Sequence, residues 1–376
     1  MTTEVPVVDL TPFYEGGDDG TIAVAKELDE ACREIGFLGI VGHRVDGALV
    51  ERTRTSVRGF FELPLEDKLA SKPPTSNGRG YVPVEGETLS STTSFVAAPD
   101  YKESFSIGPF DVGTDPYYRF EPSGVAFAPN VWPPQPADLA ADLRAYYRAL
   151  DALAGDLMTL TALAFSLPAD FFAARNSRPT SALRILHYPP RPTLGAGQYP
   201  ASPHTDYGTW TILKKRPGLT GLQAESVSGE WVDVVAPAEG FVVNVGDLLM
   251  RWTGGHWLST LHRVMPVETA EPGGEISLVF FHQPNWDTVV YPFTADVVWR
   301  DAVAGRYAAD AAEQHYGGIM AGEFVFGKYR ASVSEKALAW PAGGGGDGGE
   351  GGGGAGGEGS TGGEGSAGGD VSAGST

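Results

Sequence analysis

His204 and Asp206, in the run His204-Thr205-Asp206, and a lone His262 further along are the side chains with the clearest capacity for chemistry. Two neutral imidazoles and one carboxylate can bind one face of a metal ion and leave the opposite face open. That ligand set suits non-haem Fe(II) and oxygen. On an extended strand, residues i and i+2 point to the same side, so His204 and Asp206 can reach one ion. The second imidazole must then arrive from a separate strand, which a folded sheet permits at almost any sequence distance. Spacing alone is a weak signal, because H-x-D arises by chance and an isolated histidine is usually a core or surface residue. What the rest of the chain folds into decides whether the three can meet.

The 376 residues are globular in composition, with 42% hydrophobic and 11% aromatic side chains. A formal net charge of −20 argues against nucleic acid and against an anionic membrane surface. Cys32 is the single cysteine, so no intramolecular disulfide can form, as suits a reducing compartment. No apolar run approaches membrane-spanning length, and the N-terminus lacks the basic start and apolar stretch of a signal peptide. The expectation is a cytoplasmic protein that acts on a small molecule, as a monomer, with no nucleic-acid or membrane partner.

The composition shifts near Trp340-Pro341. Residues 341–376 are mostly glycine with scattered acids, five of them from 343 onward and no base. Such a segment cannot bury enough surface to offset its ordering entropy and reads as a disordered acidic tail. Residues 1–340 read as one domain, with a cap region over 1–120 and a helix plus β core over 137–335. Helical spacing predicts helices over 22–35, 47–61 and 137–165, with shorter ones over 168–175 and 301–316. Strands are expected over 5–10 and 36–41. Residues 64–118, rich in Gly, Pro, Ser and Thr, read as irregular loop over the active face. Short apolar runs separated by turn residues predict strands over 182–188, 209–213, 219–223, 231–235, 240–245, 260–266 and 276–282. Many short strands at this spacing suggest a sandwich or barrel.

The β section contains, in order, Arg184-Ile185-Leu186-His187-Tyr188-Pro189-Pro190, His204-Thr205-Asp206-Tyr207-Gly208, Val243-Asn244-Val245-Gly246-Asp247, Ser259-Thr260-Leu261-His262-Arg263-Val264 and Ser277-Leu278-Val279-Phe280-Phe281. Earlier come Val7-Val8-Asp9-Leu10, Phe60-Phe61-Glu62-Leu63-Pro64 and Lys102-Glu103-Ser104-Phe105. This ordered set resembles the isopenicillin N synthase-like family of 2-oxoglutarate- and Fe(II)-dependent oxygenases, over about residues 4 to 335. The resemblance implies a mainly β fold with flanking helices, a double-stranded β-helix (jelly roll) core and an α-rich N-terminal part. It implies Fe(II) ligands at His204, Asp206 and His262, with 2-oxoglutarate and O2 as co-substrates. Decarboxylation to succinate and CO2 would be coupled to hydroxylation, desaturation or ring closure of a small molecule, in secondary metabolism for example.

One position departs from the family pattern. The resemblance implies an R-x-S motif about a dozen residues after the second histidine, whose Arg grips the far carboxylate of 2-oxoglutarate with a planar fork. Here the run is Glu275-Ile276-Ser277. Ser277 and Tyr188 match the family's co-substrate contacts, but Glu275 puts an anion where a cation is expected. Close to a bound dicarboxylate that reversal costs several kcal/mol. Three readings stay open. A relocated cation could hold 2-oxoglutarate, with Arg184 the candidate and Arg263 expected to point away. The enzyme could instead oxidise its substrate directly with O2, Glu275 receiving a substrate amine. Or Glu275 could lie away from the pocket or mark lost activity. Rivals from other classes are a non-catalytic metal-binding jelly-roll module and a metal-dependent hydrolase or isomerase. Phe105, Tyr207, Trp210, Glu275, Phe281 and His282 are expected around the substrate, Arg79-Gly80-Tyr81 in a covering loop, and Asn244 and Asp247 in a turn.

Overall fold

The computed structural model describes residues 5–73, 78–93, 98–119, 123–190, 194–195, 197–266, 272–293 and 318–333. The N-terminal part contains β1 (Val7–Asp9), α1 (Thr11–Glu15), α2 (Gly17–Glu34), β2 (Phe37–Val41), α3 (Gly47–Phe61), α4 (Leu65–Leu69), β3 (Gly80–Val82) and β4 (Glu103–Ile107). The long helix α5 (Leu139–Ala164) leads into β5 (Ala182–Tyr188), β6 (Ala201–His204), β7 (Trp210–Lys214), β8 (Leu222–Glu225), β9 (Trp231–Asp233) and β10 (Phe241–Val245). Then come α6 (Asp247–Trp252), β11 (His262–Val264), β12 (Glu275–Phe281), β13 (Val289–Val290), β14 (Ile319–Met320) and α7 (Ala321–Ser332).

An eight-stranded sheet runs β1-β2-β10-β7-β12-β5-β4-β3, and a four-stranded sheet runs β6-β11-β8-β9. Together they form the jelly-roll core, with helices flanking the larger sheet. The period-2 alternation of the strands explains why one sheet serves two masters. On β12, Ile276, Leu278 and Phe280 enter the hydrophobic core, while Glu275, Ser277, Val279 and Phe281 line a cavity. On β5, Leu183 and Ile185 join the same core, while Ala182, Arg184, Leu186 and Tyr188 face the cavity. On β7, Trp210 and Ile212 face the core, while Thr211 and Leu213 face the cavity.

Helix α5 covers the core face. Leu143, Tyr146, Leu150, Leu153, Leu157 and Leu160 recur at three- and four-residue spacing and are buried. Each such side chain contributes roughly 1.5–3 kcal/mol relative to exposure, which outweighs any local propensity. Trp210 reaches across from the sheet to donate to Thr161 Oγ1 at 3.2 Å. Helix α3 begins where the Asp46 carboxylate accepts from Ala48 N at 2.9 Å.

Three sequence expectations fail for identifiable reasons. The segment 64–118 is not all loop, because α4, β3 and β4 lie within it. Strand β4 is buried throughout, but its Glu103, Ser104 and Ser106 are polar, and the burial of Glu103 and Ser104 is offset by hydrogen bonds that a composition reading cannot see. Residues 168–175 form turns ending in a 3-10 segment, Ala174–Asn176, rather than a helix. Strand β6 is masked in the sequence by Pro203, a residue that normally argues against a strand. Helix α7 also goes beyond the sequence expectations. The helix expected over 301–316 and the tail over 341–376 lie outside the described residues.

Candidate metal centre

The two sheets place the three expected ligands together. Strands β6 and β11 are antiparallel, and His204 pairs directly with His262. Their rings sit with centroids 4.3 Å apart. Asp206 lies just past the end of β6, so the extended i, i+2 geometry holds without a regular strand. Its Oδ1 is 3.9 Å from His204 Nε2 and 3.7 Å from His262 Nε2. One donor atom from each residue lies within 4.8 Å of the others. Two metal–ligand bonds of about 2.0–2.2 Å can bridge spans of nearly this length.

The atoms turned away from this point are all engaged. His204 Nδ1 lies 2.7 Å from Ser202 O, and His262 Nδ1 lies 3.0 Å from Thr260 O. Carbonyls only accept, so both Nδ1 atoms carry the proton and both Nε2 atoms keep a lone pair for a metal. Asp206 Oδ2 accepts from Asn244 Nδ2 at 2.7 Å. Burial and the neighbouring His262 push the His204 imidazole down to about 4, which keeps it neutral and ligand-ready. Burial opposes the charge on Asp206, but His262 and His204 beside it hold its carboxyl below the usual range. The donor set fits a divalent ion.

The chain around the ligands is drawn tight. The first amides of α6 hold the loop, with Asp247 N donating to Asp206 O at 2.8 Å and Leu248 N to Gly208 O at 3.0 Å. A Cβ on Gly208 would stand 2.4 Å from His282 O, and one on Gly246 would stand 2.4 Å from Gly208 O. Only glycine allows this approach. Asp247 ties the two ligand segments together, accepting from Ser259 Oγ at 2.6 Å and Thr205 Oγ1 at 3.2 Å. Asn244 and Asp247 are therefore more than turn residues, contrary to expectation. Asn244 orients the Asp206 carboxylate, and Asp247 locks the loops that present it.

The ligands open into a cavity of about 840 Å³. Tyr188, Ser277, Arg184, Tyr207, Glu275 and Phe281 line it. Three other expected pocket residues do not. Trp210 faces α5, as described. Phe105 packs edge-on against Phe60 in the helical core. His282 is buried, with Nδ1 2.6 Å from Thr209 Oγ1. In each case the strand phase decides, since a shift of one residue moves a side chain to the opposite face. Arg263 does point away, donating to Gln223 Oε1. Of the covering run, Arg79 lines the cavity, whereas Tyr81 is buried against Glu103.

Arg184 already faces an acid through Nη2, while its buried Nε has no hydrogen-bond partner among the described residues. Its Nη2 lies 2.8 Å from each oxygen of Glu87 and 2.9 Å from Ser104 Oγ. Lys102 pairs with Asp100 at 2.7 Å, and Asp100 accepts from Ser202 N at 2.9 Å, two residues before His204. Sequence reading misses this buried charged shelf, because Glu87 and Asp100 sit in a stretch that looks like polar loop. Glu275 is not bare either: Arg216 Nη2 reaches its Oε1 at 2.7 Å and Arg216 Nε its Oε2 at 3.3 Å. Lys215, one residue earlier, also lines the cavity. Counting by twos from Thr211 along β7 would have found it.

Residues 5–135 match the model of the non-haem dioxygenase N-terminal domain (named for morphine synthesis), and residues 179–284 match that of the 2OG-Fe(II) oxygenase superfamily. A validamycin A dioxygenase from Streptomyces hygroscopicus subsp. limoneus is 32% identical over 305 residues, 79% of this chain and 81% of that protein. The chain belongs to the 2OG-Fe(II) oxygenase superfamily. A 2-oxoglutarate-Fe(II) type oxidoreductase from Emericella nidulans is 32% identical over 361 residues, 90% of this chain and 95% of its own. Among solved structures, a Neurospora crassa protein in complex with alpha-KG and thymine superposes with a TM-score of 0.71 at 26% identity, covering 87% of this chain and 96% of that one. This oxygenase is thus an Fe(II)- and 2-oxoglutarate-dependent dioxygenase that uses O2 to oxidise a small molecule. No helix among the described residues is long and apolar enough to cross a membrane.

Proposed function

We propose that His204, Asp206 and His262 are the Fe(II) ligands of this dioxygenase, and that its substrate is a small polar molecule bound between the metal and the charged shelf. The observation that supports the first part most directly is the orientation of the donors. Both Nε2 atoms and Asp206 Oδ1 converge, while hydrogen bonds to Ser202, Thr260 and Asn244 occupy the opposite atoms. When bound, the iron and its co-substrates supply oxidising power toward a substrate C–H bond. The residues of the chain supply position and a shielded cavity. Arg79, Lys102, Arg184, Tyr207, Thr180 and Gln283 line part of the wall. Leu186, Leu213, Leu222, Val279, Phe281 and Val325 line much of the rest, so the wall suits a substrate that joins hydrogen-bonding groups to an apolar part.

The charge of −20 and the lone buried Cys32 support action on a free small molecule, by a monomer, in a reducing cytoplasm. The test is oxygen uptake and succinate release by the Fe(II)-loaded protein, with and without a panel of amino acids, aminocyclitols and nucleobases. Uptake that needs 2-oxoglutarate and rises with a polar panel member is expected. Replacing Asp206 with Ala should abolish iron retention and uptake together; retention of both would sink the ligand assignment.

A further inference from the structure

The cations of the cavity wall differ in how their charge is met. Arg184 faces Glu87, Lys102 faces Asp100, and Arg79 donates to the carbonyls of Gly78 and Ala126 at the far side of the wall. Arg216, behind the wall, faces Glu275. Lys215 has no such acid within ion-pair distance among the described residues. Its Nζ donates instead to two carbonyls, Leu219 O at 2.6 Å and Val234 O at 3.2 Å. An ammonium has three protons, so one is left over. Lys215 is only 4% exposed, and that exposure is to the cavity. Burial pushes its amine down to about 8, with Asp233 and Glu275 pulling weakly the other way. A carboxylate brought to this ammonium would relieve the burial cost.

Position fits as well. Strands β7 and β12 pair Lys214 with Leu278, and the register carried one step further sets Lys215 opposite Ser277. Tyr188, paired with Glu275 on the other side of β12, lines the same end of the cavity. On the same face of β7, Thr211 lies beside Asp206 at the metal centre and lines the cavity. Four residues of strand separate Thr211 from Lys215, about 13 Å, which a chelating five-carbon diacid and a lysine side chain can cover together. Glu275, Arg216 and Lys215 together leave one net positive charge at this end of the cavity.

We propose that Lys215, with Ser277 and Tyr188 beside it, binds the carboxylate of 2-oxoglutarate that lies away from the metal, so that the cation is supplied from the residue just past the end of β7 instead of from β12. Glu275 and Arg216 then form a self-neutralised pair that leaves Lys215 to act alone. The proposal rests on the 2-oxoglutarate dependence of this family member, and the test separates the two.

The Fe(II) protein is titrated anaerobically with 2-oxoglutarate and with 2-oxopentanoate, which keeps the keto acid end but lacks the far carboxylate. The visible charge-transfer band of the chelate reads binding without turnover. Wild type is expected to prefer the diacid. Lys215→Met should weaken 2-oxoglutarate by about 10- to 100-fold and leave 2-oxopentanoate within about threefold, the loss of one charge-assisted bond. Lys215→Arg should keep most of the preference. Should Lys215→Met fail to fold, Lys215→Gln, which still donates to a carbonyl, reads the same ratio. An undiminished preference in the Met or Gln variant overturns the role of Lys215 and leaves the co-substrate in place. No band in the iron-loaded wild type with 2-oxoglutarate overturns the co-substrate reading itself, and the proposal with it.

Discussion

Asn244 offers the sharpest test of how this centre is built. It sits on β10 between β2 and β7, is buried, and donates to Asp206 Oδ2 at 2.7 Å, opposite the oxygen that faces both histidines. Replacing it with Ala removes a hydrogen bond to a buried carboxylate, worth about 1.5–3 kcal/mol. Thr211 also lies beside Asp206, so the carboxylate keeps a polar neighbour but loses its 2.7 Å donor. Outer partners of metal ligands typically contribute about 10- to 100-fold in affinity, and a fall of that size is expected for Asn244→Ala. Competition for Fe(II) between the protein and a chromophoric chelator measures it, with urea unfolding run in parallel to separate a local effect from a global one. Asn244→Asp sets a second carboxylate against Asp206 and should lower the affinity further. If Asn244→Ala binds iron within about threefold of wild type while unfolding at the same urea concentration, the orienting role is refuted.

Other perturbations follow from the same contacts. Glu275→Arg alone should destabilise the fold by about 1–3 kcal/mol, between the surface and buried cases, because Arg216 then faces a like charge. The double variant Glu275→Arg/Arg216→Glu should recover most of that loss in a denaturant titration. Trp210→Ala should cost about 3–5 kcal/mol of stability through lost core packing. Since Trp210 faces α5, iron affinity should be unchanged once unfolding is accounted for. Burial pushes the His282 imidazole down to about 4, whereas in the unfolded chain it titrates near 6.5. Between these values the unfolded chain takes up a proton that the folded chain refuses, so stability falls as pH is lowered through that window. The contribution reaches about 3 kcal/mol, and His282→Gln should flatten the acid limb of a stability-versus-pH curve.

Much of the fold is legible because its signals are local. The helical repeat of leucines in α5, the apolar run of β2 and the alternation along β5 and β12 are properties of neighbouring residues, and they survive into the structure nearly unshifted. Where local and long-range terms disagree, the local reading fails. β4 looks like loop because Glu103 is polar, yet Lys68 at 2.8 Å and His187 at 2.7 Å satisfy it from elements 35 and 84 residues away. Residue type without strand phase points Trp210, Phe105 and His282 at the cavity. Only pairing in the sheet settles phase.

The same division runs through the site. The identities of His204, Asp206 and His262, the glycine two residues past Asp206 and the order of the surrounding motifs lie in the sequence alone, because donor chemistry belongs to the side chain and not to its neighbours. The meaning of Glu275 does not. Read along the chain, it is an anion where a cation belongs. In the folded protein it is half of an ion pair with Arg216, and the cavity keeps a cation in Lys215, just past the end of the adjoining strand. A carboxylate's effect on a ligand depends on the summed charge within a few ångströms, and those ångströms are spanned by residues 59 positions apart. Only the tertiary structure could bring that sum together.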